Sequence, residues 1–270
     1  MVLCLGRLPK KGNEKSPLLR VMLSQAKISL PVPPVSTTWR SQVKNWPMLG
    51  NDSVGNCVIA GSLHYYQSVT ANANIQIIPD TASAISDYSL VGEATAGSGY
   101  DPTTGANDNG LVIDEAVTYW MDKGLAIDSN GILNKLAGQA RIEPTDHEVL
   151  KVGISEFCGV LAGVNLPTSA QAETNSGVPW ESLKDVPGSW GGHCIYIVDY
   201  DENWLYTITW GAVQKLSWAW WDKYSDEAVA ILDRDWISSK TKTSPSKLTL
   251  ASLDKEIEEL RGTLGVSAYG

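Results

Sequence analysis

The sequence has no continuous apolar run of about 18 residues, which excludes a membrane-spanning helix. Its four cysteines show no Cys-x-x-Cys spacing and no zinc-ligand pattern, and we interpret them as thiols of a reducing compartment. The chain also lacks a phosphate-binding loop and any dinucleotide fingerprint. The sequence therefore predicts neither a metal site nor a cofactor.

Positive charge is scarce overall but concentrated at the start of the chain. The formal net charge of −9 argues against a nucleic-acid-binding surface. Residues 1–30 nevertheless carry six Lys or Arg side chains against the single acidic residue Glu14. This segment is either a solvated basic tail or an arm that docks on an acidic neighbour, for example another copy of the protein. Its basic residues follow a short apolar run, an order that does not fit a secretory signal, so we expect a cytoplasmic or virion protein.

The chain divides into three parts. We predict a basic, proline-containing arm over residues 1–35, a main domain over 36–237 and a tail over 238–270 that carries a short amphipathic helix. Within the main domain, helical patterns fill residues 36–150 and strand-like runs fill 151–237. This order predicts an α+β protein with two segregated lobes.

Individual elements follow from local patterns. Helices are expected after Asn56, after Pro79, over the segment that ends at Gly124, and after a capping box formed by Thr145 and Glu148. Strands are expected in five short apolar runs: GVLAGVNL, HCIYIVDY, NWLYTITW, KLSWAWW and AVAILD. The intervening DYDEN is typical of a hairpin turn.

Cys57 lies at the predicted start of a helix, in the stretch NDSVGNCVIAG. The unpaired amides and the positive dipole end of a helix N-terminus favour a thiolate, so Cys57 is a candidate nucleophile. An imidazole would complete its activation. His64 is seven residues further along the same helix, about 10 Å away, and cannot reach the sulfur. His147 falls on a polar-flanked helix, which leaves His193, at the start of a strand, as the candidate base.

Several segments, in order, resemble the papain-like cysteine peptidases over residues 36–235. The matches are TTWR, NDSVGNCV around the nucleophile, GANDNGL before a helix, HCIYIVDY at the base and ITWG after it. The resemblance implies a papain-like two-lobed fold, with a helical N-terminal lobe and an antiparallel β-barrel-like C-terminal lobe. It places Cys57 as nucleophile, His193 as base and Asn51 as oxyanion donor. It also places an extended peptide substrate along a cleft beside Gly110 and Trp210.

Three departures from the family pattern bear on activity. The family disulfide is missing at both ends, since Val54 and the loop GANDNG replace its cysteines. Asn51 is one methylene shorter than the family's glutamine. Ile208 stands where the family has the asparagine that orients the imidazole, and Thr209 is expected on the other face of the strand unless the strand is bulged. The Cys–His pair would then work alone, another acceptor would substitute, or the site has decayed.

Two functions remain open at this point. The first is a cysteine peptidase or amide hydrolase that acts through a covalent thioester on a peptide or protein substrate. The second is a catalytically degenerate papain-fold protein with a binding or structural role in a larger assembly, such as a virion or surface lattice. In that case residues 1–30 and 248–262 would bridge neighbouring subunits or form a homo-oligomer.

Overall fold

The computed structural model describes residues 3–12, 14, 16–25 and 29–236. The amphipathic helix predicted at residues 248–262 lies outside the described residues. The described chain is an α+β protein, as predicted, with a helical part followed by a sheet-rich part. No helix in these ranges is both long and apolar enough to cross a membrane.

The helices and strands are numbered in chain order. The helices of the described residues are α1 Leu19–Gln25, α2 Cys57–Asn72, α3 Thr81–Ala96, α4 Ile113–Asp122, α5 His147–Phe157, α6 Thr168–Ser176 and α7 Trp218–Tyr224. The strands are β1 Leu125–Ala126, β2 Leu133–Asn134, β3 Gly138–Ile142, β4 Val160–Leu166, β5 Gly191–Tyr200, β6 Trp204–Thr209, β7 Ala212–Ser217 and β8 Ser225–Leu232.

Helix α2 runs through the middle of the molecule. It begins at Cys57 as predicted, and every residue from there to Ala71 is buried. A helix that is buried on all sides has no solvent-facing stripe, which matches its mostly small and apolar sequence. Asn56 precedes the helix, but its side chain makes no capping bond. Its amide instead donates to the carbonyl of Leu49 at 2.8 Å, which fixes the turn that leads into the helix.

The helical lobe packs α3 and α4 against α2. Asp80 caps α3 by accepting a hydrogen bond from the backbone N–H of Ser83 at 2.8 Å. Large aromatic side chains fill the space between the helices, and Tyr65 and Trp120 meet edge to face with their ring centroids 6.1 Å apart. Such edge-to-face packing adds to the stabilisation from burial alone.

The second lobe is built on one six-stranded antiparallel sheet in the order β3-β8-β4-β5-β6-β7. The sheet is open, with β3 and β7 at its edges, rather than closed into a barrel. Strand β5 lies in the interior of this sheet, and α2 packs against it. Across its neighbours, His193 pairs with Val164 of β4, and Tyr196 pairs with Ile208 of β6.

Two local predictions are wrong. The tryptophan-rich end of the KLSWAWW run is helical, because Ser217 ends β7 and caps α7 by accepting from the N–H of Trp220 at 3.2 Å. The predicted capping box at Thr145 is also absent. Asp146 takes that role instead, and its carboxylate accepts from the N–H of Val149 at 3.3 Å.

Candidate active site

The fold brings Cys57 against strand β5. The Cys57 side chain lies in the first turn of α2 and is only 1% exposed. Its sulfur accepts a hydrogen bond from the backbone N–H of Cys194 at 3.4 Å. Since Cys194 follows His193 directly, the predicted nucleophile and the predicted base lie at the same point of the interface between helix and sheet.

The imidazole of His193 is fully buried and held on two sides. Its Nε2 atom lies 2.7 Å from the Oγ1 atom of Thr209, within hydrogen-bonding distance. The indole of Trp210 stacks on the imidazole, with ring centroids 4.3 Å apart and an angle of 15° between the planes. The other ring nitrogen, Nδ1, makes no hydrogen bond to the described residues. The Cys57 sulfur is not a hydrogen-bond partner of Nδ1 in this arrangement, and its contact with this strand is the one to the backbone N–H of Cys194.

Thr209, rather than residue 208, is the polar partner of the imidazole. In the register of β5 and β6, Tyr196 pairs with Ile208, and both side chains belong to the core that surrounds α2. The side chain of Thr209 points to the opposite face, which is also the face of His193. Trp210 has a φ of 46°, in the left-handed region of backbone conformation, and follows the last residue of β6. Its indole lies over the imidazole of His193. Thr209 thus faces away from Ile208, as the alternation along the strand predicts, but the imidazole lies on the face of Thr209 and Trp210 and not on that of Ile208.

Asn51 lies beside the nucleophile, but its amide already has a partner. The side chain is 2% exposed, and its Nδ2 atom donates to the carbonyl of Val54 at 3.1 Å. One of its two amide protons is thereby used within the turn that precedes Cys57. The second amide proton of Asn51 and the backbone N–H of Cys57 are the two donors in this turn that could bind a developing oxyanion.

A carboxylate links the two segments that the family's disulfide would join. Both oxygens of Asp108 accept from the backbone N–H of Gly55, at 3.0 and 3.1 Å. The hydroxyl of Tyr88 donates to Asp108 at 2.8 Å and accepts from the N–H of Gly110 at 2.7 Å. The loop beside the cleft is thus fastened to the turn before Cys57 by hydrogen bonds instead of sulfur.

Residues 4–8 of the N-terminal arm lie across the site in an extended conformation. Main-chain hydrogen bonds join this segment to both lobes. They run from Cys4 N to Asn51 O (3.3 Å), Arg7 N to Gly192 O (3.4 Å), Leu8 N to Leu111 O (2.8 Å) and Leu111 N to Gly6 O (2.8 Å). The indole N–H of Trp210 also donates to the carbonyl of Cys4 at 3.1 Å. The arm therefore occupies the cleft in which the resemblance places a substrate peptide.

Gly6 is the point at which the arm comes closest to the nucleophile. A Cβ atom at this position would lie 1.7 Å from the carbonyl oxygen of Gly55, so no side chain fits there. A Cβ atom at Gly110 would in turn lie 2.2 Å from the carbonyl oxygen of Gly6. Gly110 thus lies directly against the backbone of the arm, and its part in binding a substrate stays a prediction.

The basic residues of the arm meet carboxylates of their own chain. Lys11 pairs with Glu115 at 2.5 Å, and Arg20 pairs with Asp146 at 2.6 Å and with Glu148 at 3.0 Å. These pairs are partly exposed and contribute little individually. These basic residues of the arm therefore pair with carboxylates of the same molecule.

In this arm-covered arrangement the Cys–His pair is neutral. Burial raises the pKa of Cys57 to about 11, although hydrogen bonds from the backbone of Cys194 and Gly6 partly offset the effect. Burial also lowers the pKa of His193 to about 3, and the nearby positive charge of Arg7 acts in the same direction. Near neutral pH the thiol keeps its proton and the imidazole carries no charge. The thiolate expected from the helix terminus is therefore not favoured while the arm covers the site.

The two other histidines lie away from this chemistry. His64 is buried and meets the indole of Trp46 edge to face. Its Nε2 atom lies 2.8 Å from the carbonyl oxygen of Pro47. Burial lowers its pKa to about 4. His147 lies at the surface, 2.5 Å from a carboxylate oxygen of Asp222. Among the described residues there is also no cluster of His, Cys, Asp and Glu side chains that could hold a metal ion.

Solved structures similar to this one are cysteine proteases. Xylellain from Xylella fastidiosa matches with a TM-score of 0.63 and 12% identity, over 86% of this chain and 97% of its own. The digestive procathepsin L 3 of Tenebrio molitor matches with 0.57 and 12%, over 86% and 76%. Bromelain from Ananas comosus matches with 0.51 and 12%, over 74% and 100%. No family model and no curated protein matches the sequence. The papain-like fold is thereby confirmed.

Three features of the site were not predicted from the sequence. They are the docking of the arm in the cleft, the hydrogen bonds from the Gly55 N–H to Asp108, and the contact of Thr209 with the His193 ring. Each depends on contacts between residues far apart in the chain. The sequence did contain a hint of the first, since basic residues cluster in an otherwise acidic protein.

Proposed function

We propose that this chain, which has the papain-like fold, is a thiol-dependent peptidase or amide hydrolase with Cys57 as nucleophile and His193 as base. The observation that carries the proposal is the arrangement of the imidazole. Thr209 and Trp210 hold the ring, and Nδ1 is left without a hydrogen-bond partner on the described residues, beside the residue that contacts the Cys57 sulfur.

The proposed reaction begins when the cleft holds a peptide in place of the arm. The thiol of Cys57 transfers its proton to Nδ1 of His193 and the sulfur attacks the carbonyl carbon, so that the carbonyl oxygen becomes an oxyanion. Collapse of this intermediate breaks the C–N bond, and the imidazolium returns the proton to the departing amine. Water then gives a proton to His193 as it attacks the thioester, the C–S bond breaks, and the imidazolium returns that proton to the sulfur, so that the acid leaves and the thiol of Cys57 is restored.

Thr209 has a defined part in this scheme. Nδ1 can accept the thiol proton only if the neutral ring carries its own proton on Nε2. The Nε2–H group would then donate to Oγ1 of Thr209, and this bond selects the reactive tautomer. The stacked indole of Trp210 keeps water away from the bond, since Thr209 is only 6% exposed.

The arm sets the resting state of the proposed enzyme. It covers Cys57 with the backbone of Gly6 and keeps the thiol and imidazole buried and neutral. Hydrolysis therefore requires that residues 4–8 leave the cleft. The substrate proposed is an unfolded peptide segment, because the groups that hold the arm are mostly main-chain donors and acceptors on both sides of the cleft.

A second candidate is the degenerate papain-fold protein with a role in an assembly. The observation in its favour is that the cleft is filled and that Asn51 donates to Val54. In such a protein the arm would serve only to hold the lobes together or to exchange between copies. Residence in the cytoplasm or in a virion stays a prediction from the sequence.

Peptide hydrolysis by variants of the full-length chain separates the two candidates. Gly6→Ala places a methyl group against the Gly55 carbonyl and expels the arm, so we expect it to cleave a mixed fluorogenic peptide library faster than the native chain. Gly6→Ala/Cys57→Ala and Gly6→Ala/His193→Gln should have no activity, whereas Gly6→Ala/His147→Gln, altered only at a surface histidine, should retain it. A folded Gly6→Ala protein that cleaves nothing would favour the structural role.

A further inference from the structure

The thiol of Cys194 lies next to Cys57 and has no part in the proposed hydrolysis. The two residues meet where helix α2 packs on strand β5, and the backbone N–H of Cys194 donates to the Cys57 sulfur at 3.4 Å. A Cβ atom at Gly61, one turn of α2 beyond Cys57, would lie 3.6 Å from the Cys194 sulfur. The main chain of Cys194 therefore contacts the first turn of α2, and its sulfur lies against the next turn of the same helix.

Cys194 is on the opposite face of β5 from the candidate base. It belongs to the core around α2, as Cys57 does, whereas the imidazole of His193 stacks on Trp210. The Cys194 side chain is 2% exposed, and burial raises the pKa of its thiol well above the ordinary value. A dissolved oxidant that enters the open cleft therefore meets the Cys57 sulfur before it meets Cys194, since thiols react as thiolates.

The other two cysteines are placed differently. The sulfur of Cys158 lies 3.4 Å from the Oγ atom of Ser68, which is about 16 Å along the axis of α2 from Cys57. Cys4 belongs to the arm and leaves the cleft with it. Once the arm has gone, Cys194 is thus the cysteine that lies nearest to Cys57.

We propose that Cys57 and Cys194 form a redox pair, which a peroxide converts into a disulfide once the arm has left the cleft. The Cys57 thiolate attacks one oxygen of hydrogen peroxide, the O–O bond breaks, and Cys57 becomes a sulfenic acid. The hydroxide that leaves takes up the proton that the thiol released. The Cys194 sulfur then attacks the oxidised Cys57 sulfur, the S–O bond breaks, and the Cys194 proton leaves with the hydroxyl group as water. Two thiols are oxidised and one peroxide is reduced to two waters.

The pair gives Cys57 a reversible oxidation product. A dithiol reduces the disulfide, whereas a sulfenic acid that meets no second thiol is oxidised further to a sulfinic acid, which dithiols do not reduce. Cys194 therefore protects the candidate nucleophile while the cleft is open. The proposal does not rest on hydrolysis, because a Cys57 thiol that cleaves no peptide is oxidised in the same way.

Mapping of the cross-link tests the pair directly. The parent protein is full-length Gly6→Ala/Cys4→Ser, in which the arm is expelled and three cysteines remain. Alkylation of Cys57 by iodoacetamide before oxidation verifies that the cleft is open. After exposure to hydrogen peroxide and blocking with N-ethylmaleimide, mass spectrometry of the non-reduced digest should show residues 57 and 194 joined in most chains, with Cys158 still blocked as a thiol. Dithiothreitol should remove the cross-link.

Two matched changes in this parent locate the effect. Cys194→Ala keeps the backbone N–H that contacts the Cys57 sulfur but removes the second thiol. Prolonged oxidation should then carry Cys57 to the sulfinic acid, so the Cys57 alkylation that dithiothreitol restores should fall at least fivefold relative to the parent. Cys158→Ala removes a buried thiol at a distant part of α2 and should leave the cross-link and the recovery unchanged. Thermal melting verifies that each variant is folded.

The dependence on the arm has its own comparison. Cys4→Ser with the native Gly6 keeps the arm over Cys57 and should form the cross-link at least tenfold more slowly than the parent. Gly110→Ala, whose methyl group would meet the Gly6 carbonyl, is a second way to open the cleft and should form it as fast as the parent.

Three results would overturn the redox pair. They are an open and folded protein that forms no link between residues 57 and 194, an equally abundant link that involves Cys158, and equal recovery of Cys57 in Cys194→Ala and its parent. Equal rates in the covered and open proteins would overturn the requirement for release of the arm. None of these measurements involves a peptide substrate, so the redox pair and the proposed function can fail separately.

Discussion

The Oγ1 atom of Thr209 lies 2.7 Å from Nε2 of His193, although the neighbouring residue, Ile208, takes the place of the family's orienting asparagine. A hydroxyl is shorter than a carboxamide, and it accepts a hydrogen bond without supplying a competing N–H donor. The polar partner of the ring is thus one residue further along the chain than the position at which the resemblance placed it.

Replacement of Thr209 should slow the reaction without unfolding the protein. In the Gly6→Ala background, Thr209→Val removes the acceptor at Nε2 and should lower kcat/KM about 10- to 100-fold, since a lost hydrogen bond to a buried ring costs about 1–3 kcal/mol. Thr209→Ser keeps the hydroxyl and should retain most of the activity. The measurement is kcat as a function of pH. Thr209→Val should also shift the apparent pKa in this profile that belongs to the His193 imidazole. Equal kinetics for the Val and Ser variants would contradict the orienting role.

Release of the arm should expose Cys57 to reagents. Gly6→Ala should increase the rate of Cys57 alkylation by iodoacetamide at pH 7 at least tenfold, because the Cβ atom cannot coexist with the Gly55 carbonyl in the docked position. The control is Pro9→Ala, at an exposed position of the same arm. Mass spectrometry of the peptide that contains residue 57 measures the rate. An increase of the same size in both variants would show that the docked glycine has no special role.

The pH dependence of alkylation should report the buried, neutral pair. With the pKa of Cys57 raised to about 11, the native chain carries a thiolate in only about one molecule in ten thousand at pH 7. Its alkylation rate should therefore rise about tenfold per pH unit and level off only near pH 11. In Gly6→Ala, solvent and the imidazole of His193 can stabilise the Cys57 thiolate. The curve of alkylation rate against pH should therefore shift to lower pH. Identical curves for the two proteins would contradict burial by the arm as the cause of the raised pKa.

Asp108 should contribute to stability in the place of the missing disulfide. Asp108→Ala leaves the N–H of Gly55 and the hydroxyl of Tyr88 without their acceptor, and we expect the free energy of unfolding to fall by about 2–3 kcal/mol. Asp108→Asn retains one acceptor oxygen and should lose less. The exposed Asp122→Asn is the control, with no expected change. Urea denaturation gives the three values, and a neutral Asp108→Ala would show that the loop is held by other contacts.

The sequence was sufficient for the fold because the fold depends on the order of the elements along the chain, and the same order suggested the Cys57–His193 pair that we propose as reactive. The apolar run after Asn56 becomes α2, and the strand at His193 becomes β5. Thr209 was misjudged because alignment to a motif assigned the orienting role to Ile208. The actual face of each residue is set by the pairing of Tyr196 with Ile208 and by the left-handed Trp210.

The docking of the arm depends on contacts over long sequence separations. Arg7 and Glu227 are 220 residues apart, and no local pattern connects a basic residue near the start of the chain to a carboxylate on the last strand.

The complete burial of α2 has a consequence for how such a protein can diversify. A helix without a free face tolerates few substitutions, because nearly every change in it alters the packing of both lobes. The position of the Cys57 sulfur is therefore fixed by the packing of the whole helix, whereas the strands and loops around it have exposed residues that can change more freely. Single substitutions in the strands around the cleft or in residues 4–8 of the arm therefore change what the cleft binds while helix α2 stays the same.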